Sequence, residues 1–147
     1  MKLTQLNILL ADDDKDDCLF FKEAVTEFIP SDHFTAVHDG EQLMQLLLNE
    51  TNKLPDILFL DLNMPRKNGF ECLTEIKQNK KLQHLPVVIF STSSSHDNMS
   101  TLFKTGADVY IRKPGNFAQL VKVIQHALPM AAENTFSNGR LKYVLNA

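Results

Sequence analysis

The sequence predicts an α/β fold in which five short strands alternate with five helices around one parallel sheet. Five apolar runs have the length of strands, the segments between them carry apolar residues at helical spacing, and the six prolines fall between these elements or at their first residue. The first, third and fourth runs are apolar almost throughout, which is typical of strands covered by helices on both faces. We therefore predict a doubly wound parallel sheet with strands at residues 6–11, 34–39, 56–61, 86–91 and 108–113.

The helix boundaries are predicted from capping residues and helix breakers. The first helix is expected to begin near Asp14, the second after the Asp-Gly pair at 39–40, and the third after Asn68. The fourth is expected to end at Gly106, and the fifth to end before Pro129. In the first helix, the apolar residues at helical spacing are Leu19, Phe20, Ala24, Val25 and Phe28.

Length and charge narrow the class of protein. A chain of 147 residues is of ordinary size for one domain, and it buries about two thirds of its unfolded surface without disulfides or metals. Fifteen Lys and Arg are set against 18 Asp and Glu, and the basic residues are scattered, which argues against direct nucleic-acid binding. No apolar run approaches the length of about 18 residues that a membrane span needs, and polar residues interrupt any signal-peptide core. We therefore expect a cytoplasmic protein without membrane insertion.

The cysteines and histidines show no metal-binding or redox spacing. Cys18 and Cys72 fall in predicted helices and lack a CxxC arrangement, so we predict two reduced, partly buried thiols. We predict that the histidines are surface residues. They are His33, His38, His84, His96 and His126.

The segment ADDDKDD, at residues 11–17, carries five carboxylates in seven residues. Like charges a few ångströms apart repel by about 1 kcal/mol in water and by several times more at a protein surface, so they need compensation. Helix capping accounts for Asp14 as the N-cap and for Asp16 and Asp17 in the first turn, where the helix dipole favours anions. Asp12 and Asp13 lie on the strand side of the boundary, where no helix amide needs them. We infer that a positively charged group binds the carboxylates of these two residues.

Reactive side chains follow the ends of the predicted strands. In a doubly wound sheet, ligands bind beyond the carboxyl ends of the strands, so the last residues of each strand are the informative ones. These residues are Asp12 and Asp13 after the first strand, Asp61 and Asn63 at the third, Ser91 and Thr92 after the fourth, and Lys113 at the fifth. Three carboxylates, two hydroxyls and an ammonium indicate a reaction site.

Four motifs in this order resemble the receiver domains of two-component response regulators. They are ILLADDD, LFLDLNMPRKNG, VVIFSTSS and GADVYIRKP, and the match spans residues 6–128. The detailed sequence of these motifs resembles that of the CheY-like single-domain receivers that are paired with phytochrome-type or hybrid histidine kinases. The resemblance implies a flavodoxin-like (βα)5 fold with strand order 2-1-3-4-5.

The resemblance also implies a phosphorylation site with a magnesium ion, for which manganese can substitute. Asp61 would accept the phosphoryl group from a histidine kinase or phosphotransfer protein. Asp13, Asp61 and the backbone carbonyl of Asn63 would bind the cation, with Asp12 holding one of its waters. Lys113 would pair with a phosphoryl oxygen, although a solvated surface lysine is the alternative. These roles would explain the two acids that capping leaves over.

Further positions match the switch of the family. Ser91 would donate its hydroxyl to the phosphoryl group, with Thr92 as a competitor if the register differs by one residue. Tyr110 would turn inward and change the surface formed by the fourth helix, fifth strand and fifth helix, or would simply be a good strand residue. Asn63 and Ser93 occupy the positions that tune dephosphorylation, and the family pattern makes the Lys113–Pro114 bond cis.

The match divides the chain into a receiver domain at residues 1–129 and an extension at 130–147. Eighteen residues are too few for an output domain, so we expect the extension to be disordered or to form an arm that contacts a partner or a second copy. The output would then be a downstream protein or a homodimer. Two alternatives are a pseudo-receiver that only binds partners and a dehalogenase-type phosphatase. The latter needs a second acid two residues after its nucleophile, where this chain has Asn63.

Overall fold

The computed structural model describes residues 2–92, 96–133 and 143–145, with the backbone alone at 96–99 and 143–145. The strands are β1 (Ile8–Ala11), β2 (Phe34–Val37), β3 (Ile57–Leu60), β4 (Val87–Ser91), β5 (Val109–Arg112) and β6 (Tyr143–Leu145). The helices are α1 (Lys15–Val25), α2 (Gly40–Leu48), α3 (Gly69–Gln78), α4 (His96–Thr105) and α5 (Phe117–Ala132). Short 3-10 turns precede β1 at Leu3–Gln5 and β2 at Ser31–His33. Each of the five predicted strands is present and is one or two residues shorter than predicted.

The strands form one parallel sheet in the order β2-β1-β3-β4-β5-β6. The predicted order 2-1-3-4-5 is therefore confirmed. β6 comes from the extension and pairs with the outer side of β5, from Val109 opposite Tyr143 to Ile111 opposite Leu145. Residues 134–142, 146 and 147 of the extension lie outside the described residues.

Alternate residues of the central strands face two separate cores. Along β1, Ile8 and Leu10 join the core that α1 and α5 cover, whereas Leu9 and Ala11 join the core that α2, α3 and α4 cover. All four residues of this strand are buried, as the continuous apolar run predicts for a strand between two helical layers. Among the described helices, none combines the length and the apolar character that crossing a membrane requires.

Helix α1 buries a different set of residues from the one its apolar pattern predicts. Cys18 and Phe21 face the core together with Ala24 and Val25. The side chains of Leu19 and Phe20 face outward and are 60% and 55% exposed. The apolar face that the helical spacing predicts for α1 is therefore wrong for these two residues, because the continuous run CLFF fits more than one helical face.

The helix starts follow the predicted caps. The side chain of Asp14 accepts hydrogen bonds from the amides of Asp16 and Asp17, and Asn68 forms a capping box with Glu71 at the start of α3. Helix α5 does not end before Pro129 but continues to Ala132. Residues 130–132 pack partly against the core, and this burial offsets the one backbone hydrogen bond that a proline removes from a helix.

Candidate functional site

The sheet itself positions the backbone of the predicted site. Three hydrogen bonds extend the pairing between strands by one residue beyond their ends. They run from the amide of Asp12 to the carbonyl of Val37 (3.0 Å), from Asp61 to Ala11 (2.9 Å), and from Lys113 to Ser91 (2.9 Å). The two acids and the lysine therefore emerge from the same edge of the sheet with little backbone freedom.

Three of the predicted acids meet at this edge. One carboxylate oxygen from each of Asp12, Asp13 and Asp61 lies within 4.8 Å of the others. Asp12 and Asp61 are buried, and Asp13 is exposed. The amide of Asn63 donates to Oδ1 of Asp61 at 3.4 Å, so Asn63 also borders the cluster. Hard oxygen ligands from a few carboxylates are the set that Mg²⁺ takes in proteins, and these residues fit the predicted cation.

The ammonium of Lys113 lies among three carboxylates. Its Nζ is 2.8 Å from Asp12, 3.0 Å from Asp17 and 3.4 Å from Asp61, measured to Oδ2 in each case. Burial lowers the pKa of Lys113, but hydrogen bonds to Asp12 and Asp17 and the charge of Asp61 raise that pKa by more. The net shift is upward, so Lys113 is protonated at neutral pH. Its side chain is 13% exposed, which does not fit a solvated surface lysine.

Asp17 is a member of the site that the sequence interpretation missed. We predicted a role for its carboxylate in the helix dipole alone. Asp16 and Asp17 occupy the same first turn of α1, and no sequence signal separates them. The fold does so, because it brings α1 beside the end of β5 and places the carboxylate of Asp17 against Lys113.

The carboxyl group of Asp61 is harder to ionise than an ordinary aspartate. Burial raises its pKa to about 6, the ammonium of Lys113 opposes that rise, and the charge of Asp12 adds to it. One ammonium therefore compensates only part of the negative charge in the cluster. A further cation at these oxygens would favour the ionised form of Asp61.

Ser91 and Tyr110 lie on the same face of the sheet on neighbouring strands. Ser91 is fully buried at the end of β4, whereas Thr92 is exposed, so the register favours Ser91 as the inward hydroxyl. Tyr110 is 1% exposed and packs in the core beneath α2, α3 and α4. Its partner across the strands is Ile89, two residues before Ser91. The structure thus contains Tyr110 in the inward position. Ser93 lies outside the described residues.

Residues 8–125 match the family model of the response regulator receiver domain. The chain belongs to the response regulator receiver family.

Relatives and solved structures of receivers agree over most of the chain. Response regulator Rcp1 of Synechocystis sp. is 33% identical over 122 residues, which cover 80% of this chain and 83% of Rcp1. The transcriptional regulatory protein CpxR of Escherichia coli is 33% identical over 82% of this chain, which spans 48% of CpxR. A crystal structure of the phosphorylated cyanobacterial phytochrome response regulator RcpA has a TM-score of 0.76 and 31% identity, with 86% and 94% of the two chains covered. The Mn²⁺-bound form of Rcp1 has a TM-score of 0.73 and 32% identity, with 81% and 88% covered.

The loop between β3 and α3 forms one wall of the receiver site. Its Arg66 has a positive φ of 68° and contacts Glu41 at 3.5 Å. Gly69 begins α3 so close to β3 that a Cβ there would lie 2.1 Å from the carbonyl oxygen of Asp61. Only glycine fits this approach. Asp13, Asn63, Met64, Phe70 and Leu102 are among the residues that line the cleft beside this loop, which has a volume of about 790 Å³.

A second groove of the receiver lies between α1 and the loop that follows β5. It has a volume of about 220 Å³, and its lining includes Phe20, Lys113 and Phe117. Phe117 is 39% exposed, so this groove has an apolar rim close to the charged site. No peptide bond among the described residues is cis, so Lys113–Pro114 is trans, unlike the family pattern.

The cysteines and histidines fit their predictions only in part. Cys18 and Cys72 are free thiols, and both are buried rather than partly buried. Burial raises the pKa of Cys18 to about 12 and that of Cys72 to about 11, so both are protonated at neutral pH. His84 and His126 are exposed as predicted. His33 and His38 are half-buried, so the prediction that they are surface residues is wrong. The side chain of His96 lies outside the described residues.

Proposed function

We propose that this receiver accepts a phosphoryl group on Asp61 in a cation-dependent reaction and passes the change to a protein surface. The observation that carries the proposal is the contact of the Lys113 ammonium with three carboxylates at the carboxyl edge of the sheet. A buried nucleophilic carboxylate, two neighbouring acids and one fixed ammonium are the groups that such a transfer needs.

Asp13 and Asp61 would hold a divalent cation directly, with the carbonyl of Asn63 as a third ligand and Asp12 bound through water. Magnesium is the expected ion, and manganese can replace it. When bound, the ion would neutralise the phosphoryl oxygens and so reduce the repulsion between two anions. The clustered oxygens within 4.8 Å support this assignment.

Asp61 acts as the nucleophile. One of its oxygens attacks the phosphorus of a phosphohistidine, a P–O bond forms, and the P–N bond breaks. The electron pair of that bond stays on the imidazole nitrogen, which takes a proton from solvent. Lys113 supplies a fixed positive charge beside the oxygen of Asp61 that it contacts at 3.4 Å. Hydrolysis ends the signal. Water attacks the phosphorus, the bond between phosphorus and the Asp61 oxygen breaks, inorganic phosphate leaves and the carboxylate of Asp61 is restored.

Ser91 and Tyr110 would form the switch. Both lie on the face of the sheet that α4 covers, so a movement of the Ser91 hydroxyl toward a phosphoryl group alters the packing next to Tyr110. The change reaches the surface of α4, β5 and α5 by a shift between two conformations that bind phosphate differently. Asn63 and Ser93 would set the rate of hydrolysis, which we expect to be slow.

The phosphodonor would be a histidine kinase or a phosphotransfer protein in the cytoplasm. Phe20 and Phe117 expose apolar surface in the groove that opens on Lys113, and such a surface suits a partner that delivers a histidine. The recipient would be a downstream protein or a second copy of the chain.

The test is phosphorylation by acetyl phosphate, monitored by intact-mass spectrometry and by phosphate-affinity gels. Wild type should gain one phosphoryl group in magnesium and none in EDTA, and Asp61→Asn should gain none. Asp32→Asn is the matched control, because Asp32 is an exposed aspartate in the turn before β2. Label on Asp61→Asn would refute the assignment. Wild type that stays unlabelled in magnesium, and shows no magnesium-dependent shift of the Tyr110 resonances with beryllofluoride, would indicate a pure binding module.

A further inference from the structure

Two side chains from different elements converge on the backbone carbonyl of Asp12. Sγ of Cys18, in α1, lies 3.4 Å from this oxygen, and Nδ1 of His38, after β2, lies 3.2 Å from it. Sγ and Nδ1 are 3.8 Å apart. Cys18 is buried and His38 is half-buried. Asp12 is the first residue after β1, so the three groups meet where the β1–α1 loop leaves the sheet.

The chemistry of the three atoms fixes the direction of the hydrogen bonds. A carbonyl oxygen only accepts, and an unprotonated Nδ1 at 3.2 Å would repel it. Nδ1 of His38 therefore carries its hydrogen and donates to Asp12. The thiol of Cys18 donates to the same oxygen, and its raised pKa keeps it protonated.

This carbonyl controls the orientation of the Asp12–Asp13 peptide. Val37 is the last residue of β2 that pairs with β1, so side chains bind the carbonyl beyond the end of the strand pairing. The rest of Asp12 is also held, since its Oδ1 accepts from the amide of Asp14 at 2.9 Å and its Oδ2 contacts Lys113. Asp13 is exposed, and the peptide before it sets the direction in which its carboxylate leaves the chain.

We propose that His38 and Cys18 are positioning residues for the cation site. They hold the Asp12–Asp13 peptide so that the carboxylate of Asp13 faces those of Asp12 and Asp61 before an ion binds. The proposal rests on the proposed cation-dependent function. Groups outside the ligand shell that orient the ligands act on metal affinity in this way.

The experiment measures magnesium affinity by isothermal titration calorimetry and the unfolding free energy in EDTA, both on the full chain. His38→Ala should weaken magnesium binding about three- to tenfold, the effect of one lost hydrogen bond on an oriented ligand. His38→Asn should restore the affinity, because its amide nitrogen replaces Nδ1 as the donor. Cys18→Ala should also weaken binding, and Cys18→Ser should keep it. His84→Ala, at an exposed histidine, is the matched control and should leave the affinity unchanged.

The outcomes separate this inference from the proposed function. Wild type that binds magnesium with an affinity unchanged in His38→Ala and Cys18→Ala would overturn the positioning role alone. A loss in His38→Ala that His38→Asn does not restore would also overturn it, since the cause would then be packing. Wild type that fails to bind magnesium would overturn the proposed function and this inference with it. If an alanine variant does not fold, the Asn and Ser variants still decide, because both must match wild type.

Discussion

Replacing Asp61 with asparagine should stabilise the protein in the absence of divalent cations. The buried carboxylate of Asp61 is charged at neutral pH, and one shared ammonium compensates it only in part. Asparagine has the same shape and keeps an oxygen that can accept from the amide of Asn63, but it carries no charge. The residue that we propose as the phosphoacceptor therefore lowers the stability of the free protein.

The pKa of Asp61 gives the size of the effect. Burial raises this pKa from an ordinary value of 3.8 to about 6, against the opposing charge of Lys113. Each pKa unit corresponds to about 1.4 kcal/mol, so the charged carboxylate costs about 3 kcal/mol of unfolding free energy above pH 6. A carboxyl group whose pKa is raised by folding adds stability at low pH, and this stability is lost as the pH rises through about 6. The advantage of Asp61→Asn should accordingly be largest at pH 8 and should vanish near pH 4.

Urea denaturation and thermal denaturation in EDTA at several pH values measure this difference, with Asp32→Asn as the control at an exposed acid. At pH 8 the melting temperature of Asp61→Asn should exceed that of wild type by roughly 6–12 °C, given about 2–4 °C per kcal/mol for a chain of this length. Magnesium should narrow the gap because it stabilises wild type by binding to the folded state. A variant no more stable than wild type at pH 8, or a difference that does not change with pH, would refute the electrostatic reasoning.

Three further predictions follow from packing and burial. Gly69→Ala should lower the unfolding free energy by about 1–3 kcal/mol through overpacking, as measured by urea denaturation. Gly115→Ala is the control and should be nearly neutral, because a Cβ there meets nothing within 4 Å. Equal effects of the two substitutions would contradict the close approach of Gly69 to β3. Pro129→Ala should raise the unfolding free energy by about 1–3 kcal/mol by restoring a helical hydrogen bond, and a loss of stability would mean that the proline ring packs favourably. Cys18 and Cys72 should resist iodoacetamide at pH 8 until urea unfolds the chain, as followed by intact mass, whereas rapid native labelling would contradict their burial and raised pKa values.

The sheet and the charged cluster could be predicted because both follow from local patterns. Continuous apolar runs identify buried strands, and residues at the ends of parallel strands meet at one edge whatever the details of the helices. The sequence therefore predicts one site for Asp12, Asp13, Asp61 and Lys113, and the structure brings these side chains together.

The features that could not be predicted depend on contacts between distant segments. The run CLFF does not indicate which side of α1 faces the sheet, so the helical spacing places Leu19 and Phe20 on the apolar face although both side chains are exposed. Asp17 belongs to the charged cluster only because α1 packs near β5. The continuation of α5 past Pro129 depends on the burial of the residues that follow, which a local rule for proline does not include.

The ladder hydrogen bonds of Asp12, Asp61 and Lys113 have a consequence for where motion can occur. These residues share the stability of the central sheet, so their main chain opens only when the sheet itself begins to unfold. The conformational entropy of the backbone that carries the reacting groups is therefore lost when the chain folds and not during the reaction. We therefore expect the proposed switch to move side chains, the loops that leave this edge and the surface of α4, β5 and α5, while the backbone that carries Asp12, Asp61 and Lys113 keeps its position.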